Sequence, residues 1–142
     1  MRSNSDNPIA GRQFQEQVCI LFQEYFNKSF VLEKPIPIGD PPKLHRFDCV
    51  SADGEIVVEC KSYTWTNTGN VPSAKLMGLN QAVLYMSYLP AKTKKIIAIG
   101  KSILSHKAES LAEYYCRING HLLKGIEIAE VDDDGSIRWF KS

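Results

Sequence analysis

The chain has 142 residues, of which 44% are hydrophobic and 23% charged, and its formal net charge is +1. This length predicts one domain with a core of its own, and the composition is typical of a globular protein. The small net charge excludes a polycation that binds nucleic acid over its whole surface. Any phosphate-binding surface is therefore expected to be a local patch.

Four cysteines are spread along the chain and do not form a Cys-x-x-Cys pair. We expect them to be reduced, buried thiols of an intracellular protein. The sequence has neither an apolar run of about eighteen residues, the length that spans a membrane, nor the apolar core of a signal peptide at its start. These features predict a cytoplasmic protein without a membrane segment.

The first predicted element is an amphipathic helix from about Pro8 to Asn27, because aromatic and aliphatic residues recur there at helical spacing. Pro8 suits the first helical turn, and Asn7 can cap it. Glu16 lies off the apolar stripe, and the simpler interpretation of this residue is a solvated helix face.

A short strand is predicted from about Phe30 to Glu33. The next segment, residues 34–43, contains four prolines. Proline cannot donate to a central sheet, so this segment is predicted to be a connection. His45 follows it and is interpreted as a structural residue, as most lone strand histidines are.

Residues 46–66 are predicted to form a β-hairpin. Two runs rich in Val, Ile and Phe flank Asp53-Gly54. This dipeptide favours a two-residue turn with positive φ. Such a turn places Asp48 directly opposite Glu59 on the neighbouring strand.

Side chains alternate between the two faces of a strand, so Asp48, Glu59 and Lys61 are predicted to share one face. Two adjacent carboxylates raise each other's pKa unless a cation intervenes, and a divalent ion held by oxygen ligands is the simplest such cation. Lys61 could then polarise a water or neutralise a phosphate. The alternative is that these are ordinary polar residues of a solvated strand. The opposite face is predicted to be an apolar layer formed by Phe47, Cys49, Val58 and Cys60.

Asp48, ten intervening residues and then Glu59-Cys60-Lys61 resemble the core motif of the PD-(D/E)XK nuclease superfamily. That superfamily includes restriction endonucleases, archaeal junction resolvases and RecB-like nucleases. Phe47 stands where the motif often has proline. The resemblance implies that Asp48 and Glu59 bind Mg²⁺, or Mn²⁺ in its place, with the main-chain carbonyl of Cys60 as a further metal ligand. It also implies that Lys61 serves the attacking water.

The same resemblance suggests a role for the first helix, which in this superfamily often brings a glutamate to the metal site. Glu16 is the better match to that role, and Glu24 is the other candidate. After the hairpin, Tyr63 or Trp65 could stack on a base, although Trp65 suits equally well an anchor that joins the loop to the core.

A helix is predicted from about Ser73 to Leu89, in which Gln81 and Tyr85 lie four residues apart on one face. This Gln-x-x-x-Tyr pattern resembles the fourth motif of RecB-like nucleases, where it contacts substrate. Lys75, earlier in the helix, is a candidate phosphate contact.

Residues 92–95, Lys-Thr-Lys-Lys, form the densest basic cluster and precede a buried strand over residues 96–100. The cluster is a candidate contact to a nucleic-acid backbone if it lies on the side of the active site, and otherwise a solvated turn. A helix from about Ser105 to Asn119 follows, with strands over residues 125–131 and 136–140. Their connecting turn is rich in Asp and is expected to be solvated.

The predicted fold is α/β, with a mixed central sheet flanked by helices. It resembles the restriction endonuclease-like αβββαβ core, over about residues 8–100, with residues 101–142 as an addition. The resemblance implies a Mg²⁺-dependent deoxyribonuclease that hydrolyses phosphodiester bonds of DNA and works as a homodimer when both strands are cut. Two alternatives remain open: a catalytically inactive module of the same fold that binds nucleic acid or protein, and a nuclease that acts on RNA.

Overall fold

The computed structural model describes residues 8–65, 70, 72–103 and 108–140. Within these residues, helices and strands follow one another in the predicted order. They are α1 (Pro8–Phe26), β1 (Phe30–Ile38), β2 (Lys43–Ser51), β3 (Ile56–Lys61), α2 (Ser73–Ser87), β4 (Lys94–Gly100), α3 (Leu111–Asn119), β5 (Ile126–Val131) and β6 (Ile137–Phe140), with one 3₁₀ turn (Gly120–Leu122) after α3.

The six strands form one mixed sheet in which they lie in chain order. β3, β4 and β5 run parallel to one another. The other neighbouring strands are antiparallel, namely β1 with β2, β2 with β3, and β5 with β6. The prediction of an α/β fold with a mixed sheet flanked by helices is therefore confirmed. None of the helices in the described ranges has the length and apolar character needed to cross a bilayer.

Two apolar layers cover the faces of the sheet. The α1 layer joins Phe14, Val18 and Phe22 of the first helix to β-strand residues such as Val58 and Ile96. The α2/α3 layer, on the opposite face, buries side chains of α2 and α3 on other residues of the same strands. Its fully buried members include Leu79, Met86, Leu111, Tyr115, Val57, Ile97 and Ile99. β4 contributes to both layers, as its continuous apolar sequence predicts.

The helices on this second face differ in detail from the predictions. α2 ends at Ser87 rather than Leu89, and within it Leu84 is 54% exposed whereas Ala82 is buried. α3 begins at Leu111 rather than Ser105, because Ser110 and Glu113 form a capping box. Residues 104–107 lie outside the described ranges.

The hairpin has the predicted register but a different turn. Val50 pairs with Val57, as expected, yet β2 and β3 are joined by residues 52–55 rather than by two residues. The N–H of Gly54 donates to the carbonyl of Ser51 at 2.8 Å, and Gly54 has a φ of +77°. The register is unchanged because the longer loop adds one residue to each side of Asp53-Gly54.

β1 extends further than predicted. It continues through Pro35 and Pro37 to Ile38 and pairs with β2 on both sides of Glu33. β1 is one of the two edge strands of the described sheet. Since the two prolines are two residues apart, their nitrogens point to the same side of the strand, and on the outer side of an edge strand no donor is needed.

The pairing of β1 with β2 is interrupted at Glu33 and Asp48. The residues on either side pair in one register, but Glu33 has a φ of +52° and does not pair. Phe47 consequently packs in the α2/α3 layer, whereas Cys49 packs in the α1 layer. The prediction that both point to one apolar face is wrong for Phe47, because this interruption shifts the alternation of β2.

The hairpin turn can be tested with two glycines, both of which have open space where a Cβ would be added. We expect Gly54→Ala to lower the free energy of unfolding by about 1 kcal/mol, since alanine is strained at positive φ. Gly11→Ala, within α1, should instead raise it by about 0.5 kcal/mol. Chemical denaturation measures both values, and an unchanged stability of Gly54→Ala would contradict the described turn.

Candidate active site

The carboxyl groups of Asp48 and Glu59 lie together between β2 and β3. The N–H of Asp48 donates to Glu59 Oε1 at 3.0 Å, and the N–H of Cys60 donates to Asp48 Oδ2 at 2.8 Å. The two acids thus accept main-chain N–H groups from each other's strand. Each uses one oxygen for this bond, so its second oxygen can serve another ligand.

These side-chain bonds begin where the ordinary pairing of β2 with β3 stops. The last paired residues are Cys49 and Val58, which are the chain neighbours of Asp48 and Glu59. β3 meanwhile remains paired with β4 as far as Lys61. The sheet therefore opens between β2 and β3 at this end, and the two carboxyl groups fill the opening.

Burial controls the electrostatics of the acidic pair. Only 6% of Glu59 is exposed, and burial together with the charge of Asp48 raises the pKa of Glu59 to about 8. Burial also raises the pKa of Asp48, and the nearby carboxylate of Glu33 adds to this rise. The positive charge of Lys61 lowers both pKa values, but by less than burial raises them. The pair therefore lacks enough positive charge to ionise fully at neutral pH.

Lys61 shares an aromatic neighbour with a lysine of α2. Its Nζ and the Nζ of Lys75 each lie 5.9 Å from the ring centroid of Tyr63. The Tyr63 hydroxyl approaches α2 so closely that a Cβ on Gly78 would lie 2.8 Å from it. The glycine therefore lets the tyrosine pack against α2 between the two lysines.

Gln81 and Tyr85 also lie at this site. The Gln81 side-chain N–H donates to the Tyr85 hydroxyl at 2.9 Å, as their spacing suggests. The Tyr85 ring centroid is 4.4 Å from that of His45, and His45 Nε2 is 3.8 Å from Glu59 Oε2. A continuous series of side chains therefore runs from Gln81 on α2 to the carboxyl pair.

His45 is the site residue that sequence reasoning did not select. Strict alternation along β2 would place His45 and Asp48 on opposite faces of the sheet. The interruption of the pairing at Asp48 instead brings His45 to the α2/α3 face. There it lies beside Phe47, with ring centroids 4.6 Å apart. Burial lowers the pKa of His45, which favours a neutral imidazole beside Glu59. The signal that could have revealed it is the odd spacing of the apolar residues Phe47 and Val50.

The first helix reaches the site through a different residue from the one selected. Gln15 Nε2 donates to the main-chain carbonyl of Asp48 at 3.2 Å. Glu16 and Glu24 are exposed on α1. Gln15 therefore contacts the main chain of Asp48 and not its carboxyl group, because the carboxyl pair faces α2 whereas α1 covers the other face. A role of Glu16 or Glu24 in supporting the site stays a prediction.

Two other candidates lie away from the pair. Lys94 is level with Ile56 at the turn end of β3, about 16 Å along the strand from Lys61. The basic cluster of residues 92–95 is therefore at the opposite end from the acids. Trp65 is buried in the α2/α3 layer beside Tyr114, which identifies it as an anchor of the loop rather than an exposed stacking surface.

The residues present fit a hard cation by their chemistry. Two carboxyl groups, each with an oxygen available beyond its main-chain bond, are donors that Mg²⁺ and Mn²⁺ accept, and positive charge would relieve their raised pKa values. As the side chains of the described residues stand, no group of three or more His, Cys, Asp or Glu side chains could hold a metal ion. An ion would therefore need a third ligand to move in or water to complete its shell.

Comparison of the chain with protein-family models, with curated proteins and with solved structures finds no match. The interpretation of the site therefore depends on its own geometry and on the motif within the sequence.

The raised pKa of Glu59 predicts how the metal-free chain responds to pH. The folded state keeps a proton on Glu59 up to about pH 8, whereas the unfolded chain loses it near the ordinary value of 4.5. The proton-linked stability is complete below about pH 4.5 and is lost as pH rises towards 8. We expect Glu59→Gln to weaken this decline by about 1 kcal/mol or more between pH 5 and 8.

Denaturation at several pH values, with chelator present, measures this effect. Glu55→Gln is the matched control, because Glu55 lies at the exposed turn end of the same hairpin. The raised pKa of Glu59 is contradicted if the wild type and Glu59→Gln lose stability in parallel over this range.

Proposed function

We propose that the protein is a metal-dependent endonuclease that hydrolyses phosphodiester bonds of DNA, on a fold of the restriction endonuclease-like type. The observation that carries the proposal is the buried Asp48–Glu59 pair, with too little positive charge beside it and Lys61 two residues further along β3. A pair of buried acids destabilises a fold unless a cation joins it. The order αβββαβ of the first six elements supports the fold assignment.

Asp48 and Glu59 would hold Mg²⁺, or Mn²⁺ in its place, with the Cys60 carbonyl as a further ligand. When bound, the ion supplies positive charge that polarises a phosphoryl oxygen and acidifies a water molecule. Lys61 is the residue that would orient the attacking water and stabilise the negative charge that develops on the phosphoryl oxygens. The water oxygen would form a bond to phosphorus and give up a proton to solvent, the bond from phosphorus to the leaving oxygen would break, and the leaving oxygen would take up a proton from solvent.

Substrate contacts would lie along α2. Lys75 and Tyr85 are ten residues apart, which corresponds to about 15 Å along a helix axis. Lys75 lies on the Lys61 side of the site, near Tyr63, and Tyr85 lies on the Glu59 side, through His45. A nucleic-acid backbone that follows α2 would therefore pass the carboxyl pair between a lysine contact and a Gln81–Tyr85 contact.

One active site cuts one strand, so cleavage of both strands of a duplex would require a homodimer. The same geometry would also accept RNA, since the described contacts are of the kind that bind phosphate. Comparison of DNA and RNA substrates of one sequence distinguishes these two cases.

A second candidate function is a binding module of the same fold without catalysis. The observation that favours it is that no three-ligand metal group exists among the side chains of the described residues. Such a module would bind nucleic acid through Lys61, Lys75 and Tyr63 without needing an ion. Binding that persists in chelator, without cleavage in Mg²⁺ or Mn²⁺, would favour this candidate.

The nuclease proposal predicts that supercoiled, linear, single-stranded or branched DNA is cut in Mg²⁺ or Mn²⁺ and not in chelator. Asp48→Ala should abolish cutting because a ligand is lost. Lys61→Ala should lower the rate at least about 100-fold, because the group that serves the water is lost. Gel assays with defined DNA substrates measure these rates.

Lys124→Ala is the matched control for Lys61→Ala, since Lys124 is an exposed lysine outside the site. It should cut at the rate of the wild type. Cutting that survives undiminished in Lys61→Ala would overturn the assignment of Lys61, and cutting that survives in Asp48→Ala would overturn the metal site.

Two substitutions of Tyr85 separate its two contacts. Tyr85→Phe removes the hydroxyl that accepts from Gln81 but retains the ring against His45, so we expect a rise in KM of less than about threefold. Tyr85→Ala removes the ring as well and should also lower kcat, because His45 loses its support. Steady-state kinetics on one oligonucleotide measure both constants, and identical effects of the two variants would contradict this division.

A further inference from the structure

His45 carries a solvent-shielded ring nitrogen, Nε2, at the edge of the proposed metal site. Its Nε2 is shielded from solvent and forms no hydrogen bond with the residues that the structure describes. The nearest acidic oxygen, Glu59 Oε2, lies 3.8 Å away, which is too far for a hydrogen bond. A buried nitrogen of this kind is unfavourable unless a further group binds it.

The imidazole is held in place by two aromatic rings. The Phe47 ring lies nearly perpendicular to it at a centroid distance of 4.6 Å, and the Tyr85 ring is tilted by 50° at a centroid distance of 4.4 Å. These contacts come from β2 and from α2, so they orient the ring from two elements. The ring is therefore ordered before an ion binds, with its Nε2 3.8 Å from Glu59 Oε2, so that binding would cost little further side-chain entropy.

The spacing suits two ligands of one ion better than a direct bond between them. Adjacent ligands of an octahedral ion with bond lengths near 2.1 Å lie about 3 Å apart. Nε2 and Oε2 are 3.8 Å apart, so a shift of about 1 Å would bring both to one ion. Oε2 is also the oxygen of Glu59 that does not accept the N–H of Asp48, whose bond is to Oε1.

We propose that His45 Nε2 is a third protein side-chain ligand of the ion held by Asp48 and Glu59. This inference rests on the proposed function, because it assigns a ligand to the same site. The inference assigns a third side-chain ligand to the ion, which the two carboxyl groups alone do not provide, and it also predicts which metal ion the site prefers. Imidazole binds Mn²⁺ and other transition metals better than it binds Mg²⁺, so the site should favour Mn²⁺ more strongly than two carboxylates alone would.

The test uses Mn²⁺ as the probe and needs no catalytic activity. Electron spin-echo envelope modulation of the Mn²⁺-loaded chain detects a coordinated imidazole nitrogen, and histidine labelled with ¹⁵N changes the signal without any substitution. We expect an imidazole signal in the wild type and in His121→Gln, and its loss in His45→Gln. His121 is an exposed histidine after α3 and is the matched control.

Calorimetry provides a second readout on the same proteins. We expect His45→Gln to weaken Mn²⁺ binding at least about tenfold while Mg²⁺ binding changes by less than about threefold. The ¹⁵N measurement on the unsubstituted chain keeps the test valid if His45→Gln folds poorly.

The outcomes separate this inference from the proposed function. Mn²⁺ that binds in a manner dependent on Asp48 and Glu59, but without imidazole coupling, overturns the role of His45 and leaves the nuclease proposal standing. Mn²⁺ that does not bind, or that binds equally well to Asp48→Ala, overturns both. Coupling that persists in His45→Gln also overturns the inference, because another histidine would then be the ligand.

Discussion

Two carboxyl groups buried at one opening of the sheet are the constraint on which the rest of the site depends. Asp48 and Glu59 close the gap between β2 and β3 by accepting main-chain N–H groups, so they are part of the fold as well as of the site. Because those bonds use one oxygen of each acid, the remaining oxygens face a region with little compensating charge. The same contacts that order the two side chains therefore leave them short of a cation.

A comparison of the two ends of this hairpin shows that the shortage of positive charge is confined to the buried end. At the turn, Lys28 Nζ lies 2.8 Å from Asp53 Oδ2 and 2.6 Å from Glu55 Oε1, and the pKa of Asp53 is lowered chiefly by its bond to Lys28. At the other end, burial raises the pKa of both acids, and the nearest lysine does not offset it. Exposed acids with a lysine between them need nothing further, whereas buried acids without sufficient charge do.

Sequence reasoning predicted the order of the elements and the register of the hairpin, because apolar periodicity and a Gly-containing turn are local signals. The opposition of Asp48 to Glu59 followed from that register. The position of His45 did not, since it depends on the positive φ of Glu33, an uncommon conformation for a glutamate. Strict alternation assigns His45 to the wrong face once the strand is interrupted. The contact of Gln15 with β2 was not predicted for a similar reason, because helical periodicity does not show which polar residue of α1 reaches the sheet.

The division of the site between sheet and helix has a consequence for specificity. Glu59 lies on β3, which is paired with β4 and buried between two layers, so the geometry of the proposed metal site is held by a buried, hydrogen-bonded strand. The proposed substrate contacts instead lie on α2, where Gln81 is exposed and Lys75 is half-buried. Changes on that helix surface alter few core contacts, whereas changes at Glu59 disturb the closure of the sheet. Substrate preference can therefore vary on α2 while the chemistry of the carboxyl pair stays the same, with His45 and Tyr85 as the contact through which the two parts are joined.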